Sequence, residues 1–427
     1  MQLSSHATRI HQVISGEVRE VIRTALVIGG GIAGPVAAMA LQKAGIDAVV
    51  YEAYPSRACE AGGGLTLAPN GLDALDVIGL RDLIRPVGTP MTGIVMQDWK
   101  GRRLGEFGNP PGVPPMQFFY RRDLYRVLYE EAGRRGIHIE HGKRLVSAVE
   151  TADGVTARFE DGTEATGDIL IGADGIRSTV RRLIDASAPD PAYAGLISFG
   201  ARVATPGVPS TEGKMLMSFG KHAFFGYQVF DETSAIWFVN LPHAKPLSAA
   251  QAQQTPASEW LPLLAAKFAD DRTPAARLIS RTNPADLLIV GSMENMPRVP
   301  VWSRGRMVLV GDSAHAPSSS SGQGASLAIE SAIDLARCLR DLPHDHAFAA
   351  YEALRRPRVE RVIKETTRKN SSKTAGPVGR VLFALAMKIF TKLAKPEKMA
   401  WMFDYRIDWD APATSAVSAA RAALPAT

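Results

Sequence analysis

From Arg23 onward the apolar positions switch between two spacings. Thr24–Ile28 is a short run of β-branched and aliphatic residues, and the Gly29–Gly34 stretch is glycine-rich. Residues 35–44 carry alanines at helical spacing, and 48–51 are apolar again. Strand, glycine turn, helix, strand predicts a βαβ unit, and with it a parallel sheet joined by right-handed crossovers. Proline and glycine crowd residues 107–115 and predict a loop ahead of a helix over 121–135. Between 191 and 242 the pattern becomes an alternation, as in 223–229 and 235–240, which predicts antiparallel strands with one buried face. The α/β texture returns over 305–339. The expected class is α/β with an α+β inserted part: a Rossmann-like domain, an inserted and mostly antiparallel β-sheet domain, and a C-terminal helical segment.

The glycines Gly29, Gly31 and Gly34 stand in G-x-G-x-x-G spacing, with Ile32 and Ala33 between them. In this motif the first glycine permits a tight turn off the strand. The second admits a pyrophosphate to the helix N-terminus, and the third lets helix and strand pack closely. Glu52 closes the next strand, 18 residues after Gly34, where a carboxylate can accept hydrogen bonds from ribose hydroxyls; Ala53 follows it. The preceding strand, the alanine-rich helix and the acid at the next strand end make this a dinucleotide site.

Composition narrows the remaining classes. The chain has 427 residues, 46% hydrophobic and 22% charged, which suits a globular protein of two or three packed units. Cys59 and Cys338 are the only cysteines, so a disulfide-built secreted scaffold is not expected and a reducing cytoplasm is. No apolar run reaches the roughly 18 residues that span a bilayer. The net charge of +6 is scattered among acids without a dense basic run, so an anionic cofactor or substrate is expected rather than nucleic acid. Residues 1–22 lack the apolar core of a secretory signal and read as an arm. Residues 378–395 read as a helix with three lysines near its end, packed on the protein rather than inserted in a membrane, and 411–427 as a loose tail.

Further along, the segment 306–339 sets an apolar strand before Gly311-Asp312, then a glycine-rich turn and a second alanine-rich helix. With GGGIAG and Glu52, GADGIRSTVR at 172–181, and VGDSAH at 310–315 followed by the GQG turn at 322–324, the sequence resembles the group A flavoprotein monooxygenases. Within them it looks most like aromatic-polyketide hydroxylases and tetracycline-inactivating enzymes. The resemblance implies FAD as cofactor, with Asp312 on the ribityl chain and Gly322, Gly324 and Ala325 at the flavin edge. It implies Asp174 at both nucleotides, with Arg177 and Arg181 beside it. Arg121, with Arg122 adjacent, is expected at the FAD phosphates, and Leu145 or Val146 at the adenine. Two positions depart from the family pattern. Ala53 stands where a basic residue is common, and Pro317 with Ser318–Ser321 replaces a proline-rich stretch.

On this resemblance the domains are an arm at 1–22, FAD-binding parts at 23–92, 120–190 and 290–370, substrate-domain parts at 93–119 and 191–289, and a C-terminal helix and tail at 371–427. No second G-x-G-x-x-G follows Gly34, so NADH or NADPH is expected as a transient reductant, with O2 as co-substrate. The implied reaction adds oxygen at flavin C4a and transfers one atom to an aromatic or polyketide-like molecule. Epoxidation, antibiotic inactivation and a plain flavin reductase are the alternatives. Ser198, Gly200, Phe225, Tyr227 and Pro317 are the substrate-contact candidates. His315 is expected to pack beneath the cofactor, and no catalytic acid or base and no metal site is assigned. A monomer or homodimer is expected.

Overall fold

A computed structural model of the chain describes residues 12–14, 17–19, 22–55, 63–109, 112–204, 206–317, 322–370, 400–415 and 418. The helix expected over 378–395 lies outside them, as do Cys59 and Ser318–Ser321. A six-stranded sheet runs in the order Ile139–His141, Asp47–Glu52, Thr24–Ile28, Ile169–Gly172, Met307–Leu309, Ser303–Arg304. All neighbours are parallel except the last pair. Thr24–Ile28 and Ile169–Gly172 are almost wholly apolar and buried, as strands with both faces covered must be. The helices Ala33–Lys43 and Gly324–Asp341 pack against each other. Both helices carry buried alanines, among them Ala37, Ala40, Ala328 and Ala332, at most 6% exposed, whose small side chains permit close packing.

A seven-stranded sheet follows the order Leu287–Asn295, Ala192–Val203, Ser234–Pro242, Phe224–Asp231, Lys214–Phe219, Gly93–Asp98, Arg103–Gly108. One of its faces carries Phe199, Phe225, Tyr227 and Trp237 into a core with Leu261, Leu264, Phe268 and Leu278. The other face sends Met215 and Ile236 against Phe118 and Met91 of a small sheet, Gly64–Leu67, Met116–Tyr120 and Thr89–Met91. Alternation along Met116–Tyr120 makes that small sheet a two-sided joint, because Phe119 belongs to the core of the parallel sheet and Phe118 to the seam with the large one.

Residues 400–413 return to the Gly324–Asp341 helix. Arg337 donates to the Asp408 carbonyl at 2.7 Å, and the Ala413 amide donates to Asp341 at 2.8 Å. Ala413 is fully buried, so this part of the expected tail is docked. No described helix is long and apolar enough to cross a membrane.

Candidate functional site

The glycine turn is closed from three directions and open in a fourth. Gly29 has φ +108°, and its amide donates to the Tyr51 carbonyl at 2.8 Å. A Cβ on Gly34 would lie 1.9 Å from the Gly29 carbonyl oxygen, and one on Gly30 would lie 2.4 Å from the Tyr129 hydroxyl. A Cβ on Gly31 would meet nothing nearer than the Tyr125 hydroxyl at 3.7 Å. Gly29, Gly30 and Gly34 therefore shape the turn itself, and Gly31 leaves space over the N-terminus of the helix. Ile32 and Ala33, both buried, begin that helix.

Glu52 is the acid of this turn. One carboxylate oxygen accepts from the Gly30 amide at 2.6 Å and the other from the Tyr54 amide at 2.9 Å, which fixes its plane and leaves lone pairs for a diol. The Tyr129 hydroxyl donates to the Gly30 carbonyl at 2.7 Å. Gly30 and Tyr129 were not foreseen as site residues; only the fold shows that a tyrosine 99 residues away completes the turn. Ala53 is half-buried beside Glu52. Leu145 is buried and Val146 exposed at the start of the next strand.

Opposite the turn lies the loop from Gly311 to Pro317. A Cβ on Gly311 would lie 3.1 Å from both Ala33 Cβ and Ala328 Cβ, so this loop sits between the starts of the two helices. The Asp312 side chain opens to the cleft and accepts no hydrogen bond from a described residue, although protein crowds it. That crowding pushes its carboxyl up to about 6, against the pull of the Arg121 cation. Arg121 also lies over the Tyr125 ring, 5.7 Å from its centre, and so bridges the space between Gly31 and Asp312. Arg122 turns the other way, towards Tyr120. Pro317 is buried next to Gly324, and Gly322 (φ +62°) faces Thr66. Ala325 is half-buried in the first helical turn.

Two residues of the 172–181 motif are turned inward rather than to the cleft. Asp174 holds the turn after its strand, accepting from Ser178 Oγ at 2.5 Å and from the Thr179 and Val180 amides at 2.7 and 3.1 Å. Its carboxylate is therefore occupied by the chain's own donors. Arg181 is buried and donates to the Ser313 and Ile176 carbonyls, tying this turn to the Asp312 loop. Arg177 is exposed and pairs with Glu294 at 2.7 Å.

Beneath the cleft lies a buried polar network. Asn70 Nδ2 donates to Gln323 Oε1 at 3.0 Å and to Glu330 Oε1 at 2.6 Å. Glu330 pairs with Arg355 at 2.5 Å and with Arg358 at 2.9 Å. Burial pushes the Glu330 carboxyl up, but the two guanidiniums outweigh it and hold the group at about 2. His315 shares a 2.9 Å hydrogen bond with Ser331 Oγ, to which Arg355 Nε also donates. Burial, with Arg355 nearby, lowers the His315 pKa to about 3, so the ring is neutral at physiological pH and packs rather than titrates. Asn70, Arg355 and Arg358 were not singled out in the sequence, because each meets its partner across a long separation.

The large sheet supplies the far wall. The Met296 amide donates to the Ala316 carbonyl at 3.3 Å, which places the Asp312–Pro317 loop beside the strand Leu287–Asn295. Ser198 and Gly200 sit on the face turned to the cleft, and Ser198 Oγ donates to Asn240 Oδ1 at 3.1 Å. Phe225 and Tyr227 do not. They belong to the opposite face, with Phe225 fully buried and stacked on Trp237 at 6.1 Å between centroids. Successive strand residues point to opposite faces, so their neighbours Phe224, Gly226, Gln228 and Phe230 look the other way. The Phe238 ring lies where a Cβ on Gly226 would stand, at 2.1 Å, and forms a flat half-buried wall.

These features fit FAD. An open N-terminal turn, a fixed carboxylate for a diol, a cation between turn and loop, and an unpartnered cleft-facing carboxylate are the groups that a dinucleotide and a ribityl chain require. A model of the FAD binding domain family matches residues 23–366. The FAD-dependent urate hydroxylase of Klebsiella pneumoniae is 29% identical over 350 residues, covering 79% of this chain and 87% of its own. The 3-amino-4-hydroxybenzoate 2-monooxygenase PtmB3 of Streptomyces platensis is 32% identical over 353 residues, covering 80% and 86%. Among solved structures, Klebsiella pneumoniae HpxO complexed with FAD and uric acid superposes with a TM-score of 0.79 at 25% identity, covering 89% of this chain and 96% of that one.

Proposed function

The chain belongs to the FAD binding domain family and is an FAD-dependent monooxygenase, and from this premise we propose that it hydroxylates a small planar aromatic ring at the expense of NADH or NADPH and O2. The observation that carries the substrate class is the cleft-side wall of the large sheet, where the Phe238 ring lies flat over Gly226 beside the Ser198–Asn240 pair. The relatives support it, since their named substrates are urate and aminohydroxybenzoate.

FAD, when bound, supplies the hydride acceptor and the oxygen-transferring centre. The chain's residues do the rest. Gly31 and Arg121 would hold the pyrophosphate, Glu52 the adenosine ribose and Asp312 the ribityl chain. The amides at Gly322–Gly324, at the positive end of the helix Gly324–Asp341, would stabilise the negative charge that a bound flavin gains on reduction. Ser198 and Asn240 orient the polar group of the substrate, Phe238 its ring, and Pro317 closes the side by the loop. His315 stays neutral and moves no proton.

Asp312→Ala is expected to weaken FAD binding about tenfold or more, because a hydrogen bond to a charged group contributes about 1.5–3 kcal/mol; flavin fluorescence titration checks this. Phe238→Ala is expected to raise KM for the ring several-fold, while Tyr227→Phe, on the opposite face, leaves KM unchanged. Equal effects of both on KM would contradict the assignment of faces. Anaerobic stopped-flow reduction by NADH and NADPH, with hydroxybenzoates, purines and tetracyclines as effectors, tests the function. Acceleration by the small aromatics is the expected result, and acceleration by tetracyclines alone would contradict the substrate class.

A further inference from the structure

We propose that Arg122 and Arg202 form a two-arginine site for an anionic group, a carboxylate or a phosphate, at the mouth of the cleft; this rests on the reading above that the cleft admits an aromatic substrate and a nucleotide reductant. Arg202 lies on the strand Ala192–Val203 opposite Ile236, whose side chain packs with Phe118 and Met215 in the seam. By strand alternation it shares the cleft-side face with Gly200 and Ser198. Arg122 approaches from the other side, as the second residue of the helix Arg121–Arg134. The two guanidinium carbons stand 5.8 and 5.7 Å from the centre of the same ring, Tyr120. That ring is braced edge-on against Phe118 at 5.3 Å.

Each guanidinium gains a cation–π contact with the Tyr120 ring, but the two like charges share that ring without an anion. Both arginines are exposed and neither has a carboxylate partner among the described residues, whereas Arg126 and Arg134 of the same helix pair with Glu130 and Glu131, and Arg177 pairs with Glu294. Arg122 also stands at the positive end of its helix, where a cation is disfavoured and an anion favoured. An anion between the guanidiniums removes both penalties, and two planar forks suit carboxylate or phosphate oxygens.

The site adjoins the cofactor cleft. Arg121, between Tyr120 and Arg122, faces Asp312, and its amide donates to the Gly63 carbonyl at 3.0 Å. A Cβ on Gly63 would meet Leu288 at 3.0 Å, and Leu288 pairs with Gly200. A substrate carboxylate and the phosphates of the nicotinamide nucleotide are the two sources of such an anion.

Calorimetric titration of the FAD-loaded protein at low salt with pyrophosphate, benzoate and neutral benzamide tests the site without requiring turnover. Pyrophosphate or benzoate is expected to bind and benzamide not to. Arg122→Ala and Arg202→Ala are each expected to weaken the bound anion about tenfold, or 1.4 kcal/mol, with FAD content unchanged. Loss confined to pyrophosphate identifies the reductant's phosphates, and loss confined to benzoate an aromatic acid. The proposal is overturned if neither anion binds the parent protein, or if the double variant binds them as tightly as the parent does. Failure of the hydroxylase reading would show separately, as nucleotide oxidation that gives only hydrogen peroxide and no hydroxylated product.

Discussion

Gly34→Ala is expected to yield protein without FAD and with a melting temperature several degrees below that of the parent. The added methyl carbon would lie 1.9 Å from the Gly29 carbonyl oxygen, and Gly29 cannot retreat. Its own φ of +108° is closed to ordinary side chains, its amide is bonded to Tyr51, and even a Cβ on it would lie 2.4 Å from the Ala173 carbonyl oxygen. The turn must open, and overpacking of this kind costs about 1–3 kcal/mol or more. Gly31→Ala is the informative partner, because its methyl group has room in the protein but would stand at the proposed pyrophosphate position. Its stability is expected to stay within about 0.5 kcal/mol of the parent, while FAD affinity falls. Flavin absorbance on purification and thermal melting of both variants separate the two roles. Equal losses of stability would contradict the distinction drawn between a packing glycine and a binding glycine.

The second large effect is expected at Glu330→Gln. Glu330 is fully buried and is the shared anion of Arg355 and Arg358; Arg355 keeps only the more distant Asp334, at 3.5 Å, so losing the Glu330 charge is expected to cost about 3–5 kcal/mol, as for a broken buried pair. The loss reaches further than one contact. Asn70, which links Glu330 to Gln323 in the glycine turn, loses an ionised acceptor, and Tyr405, stacked under Arg355 and Arg358, docks the returning segment 400–413 on the same network. Urea unfolding at neutral pH measures the loss, and acid unfolding measures its titration. The Glu330 carboxyl lies below its ordinary value of 4.5, at about 2 in the folded protein. Its stabilisation is therefore complete above about 4.5 and disappears as pH falls through 2. Asp334, bonded to the Tyr405 hydroxyl in the same network, is held above its ordinary value by burial and acts in the opposite sense, so the acid loss in the parent is smaller than Glu330 alone implies. An unfolding free energy for Glu330→Gln within about 1 kcal/mol of the parent would contradict this account.

What was legible in the sequence follows from how local each signal is. The glycine turn and Glu52 lie within one βαβ unit, so spacing alone conveys which glycine meets backbone and which meets open space. Asp312 is marked by its position at the end of an apolar strand. Alternation over 224–230 reveals two faces, yet both are covered in this fold, one by helices and the other by the small sheet and cleft. Residue type does not distinguish them, which is why Phe225 and Tyr227 belong to the core and Phe238 to the cleft. Asn70 reaches Gln323 across 253 residues and Arg355 reaches Glu330 across 25, and pairings of that range leave no periodic trace. The family resemblance assigns residues 93–119 to the substrate domain, but the parallel register of Gly93–Asp98 with Lys214–Phe219 has no local sequence signal.

The proposed reaction is the transfer of one atom of O2 to an aromatic ring. Turnover under 18O2 with the effector that most accelerates flavin reduction, followed by mass spectrometry of the product, tests it directly. The expected product carries one heavy oxygen on the ring, with one nucleotide oxidised per product formed. Nucleotide oxidation that yields only hydrogen peroxide, with the aromatic compound recovered unlabelled and unchanged across the whole effector panel, would contradict it.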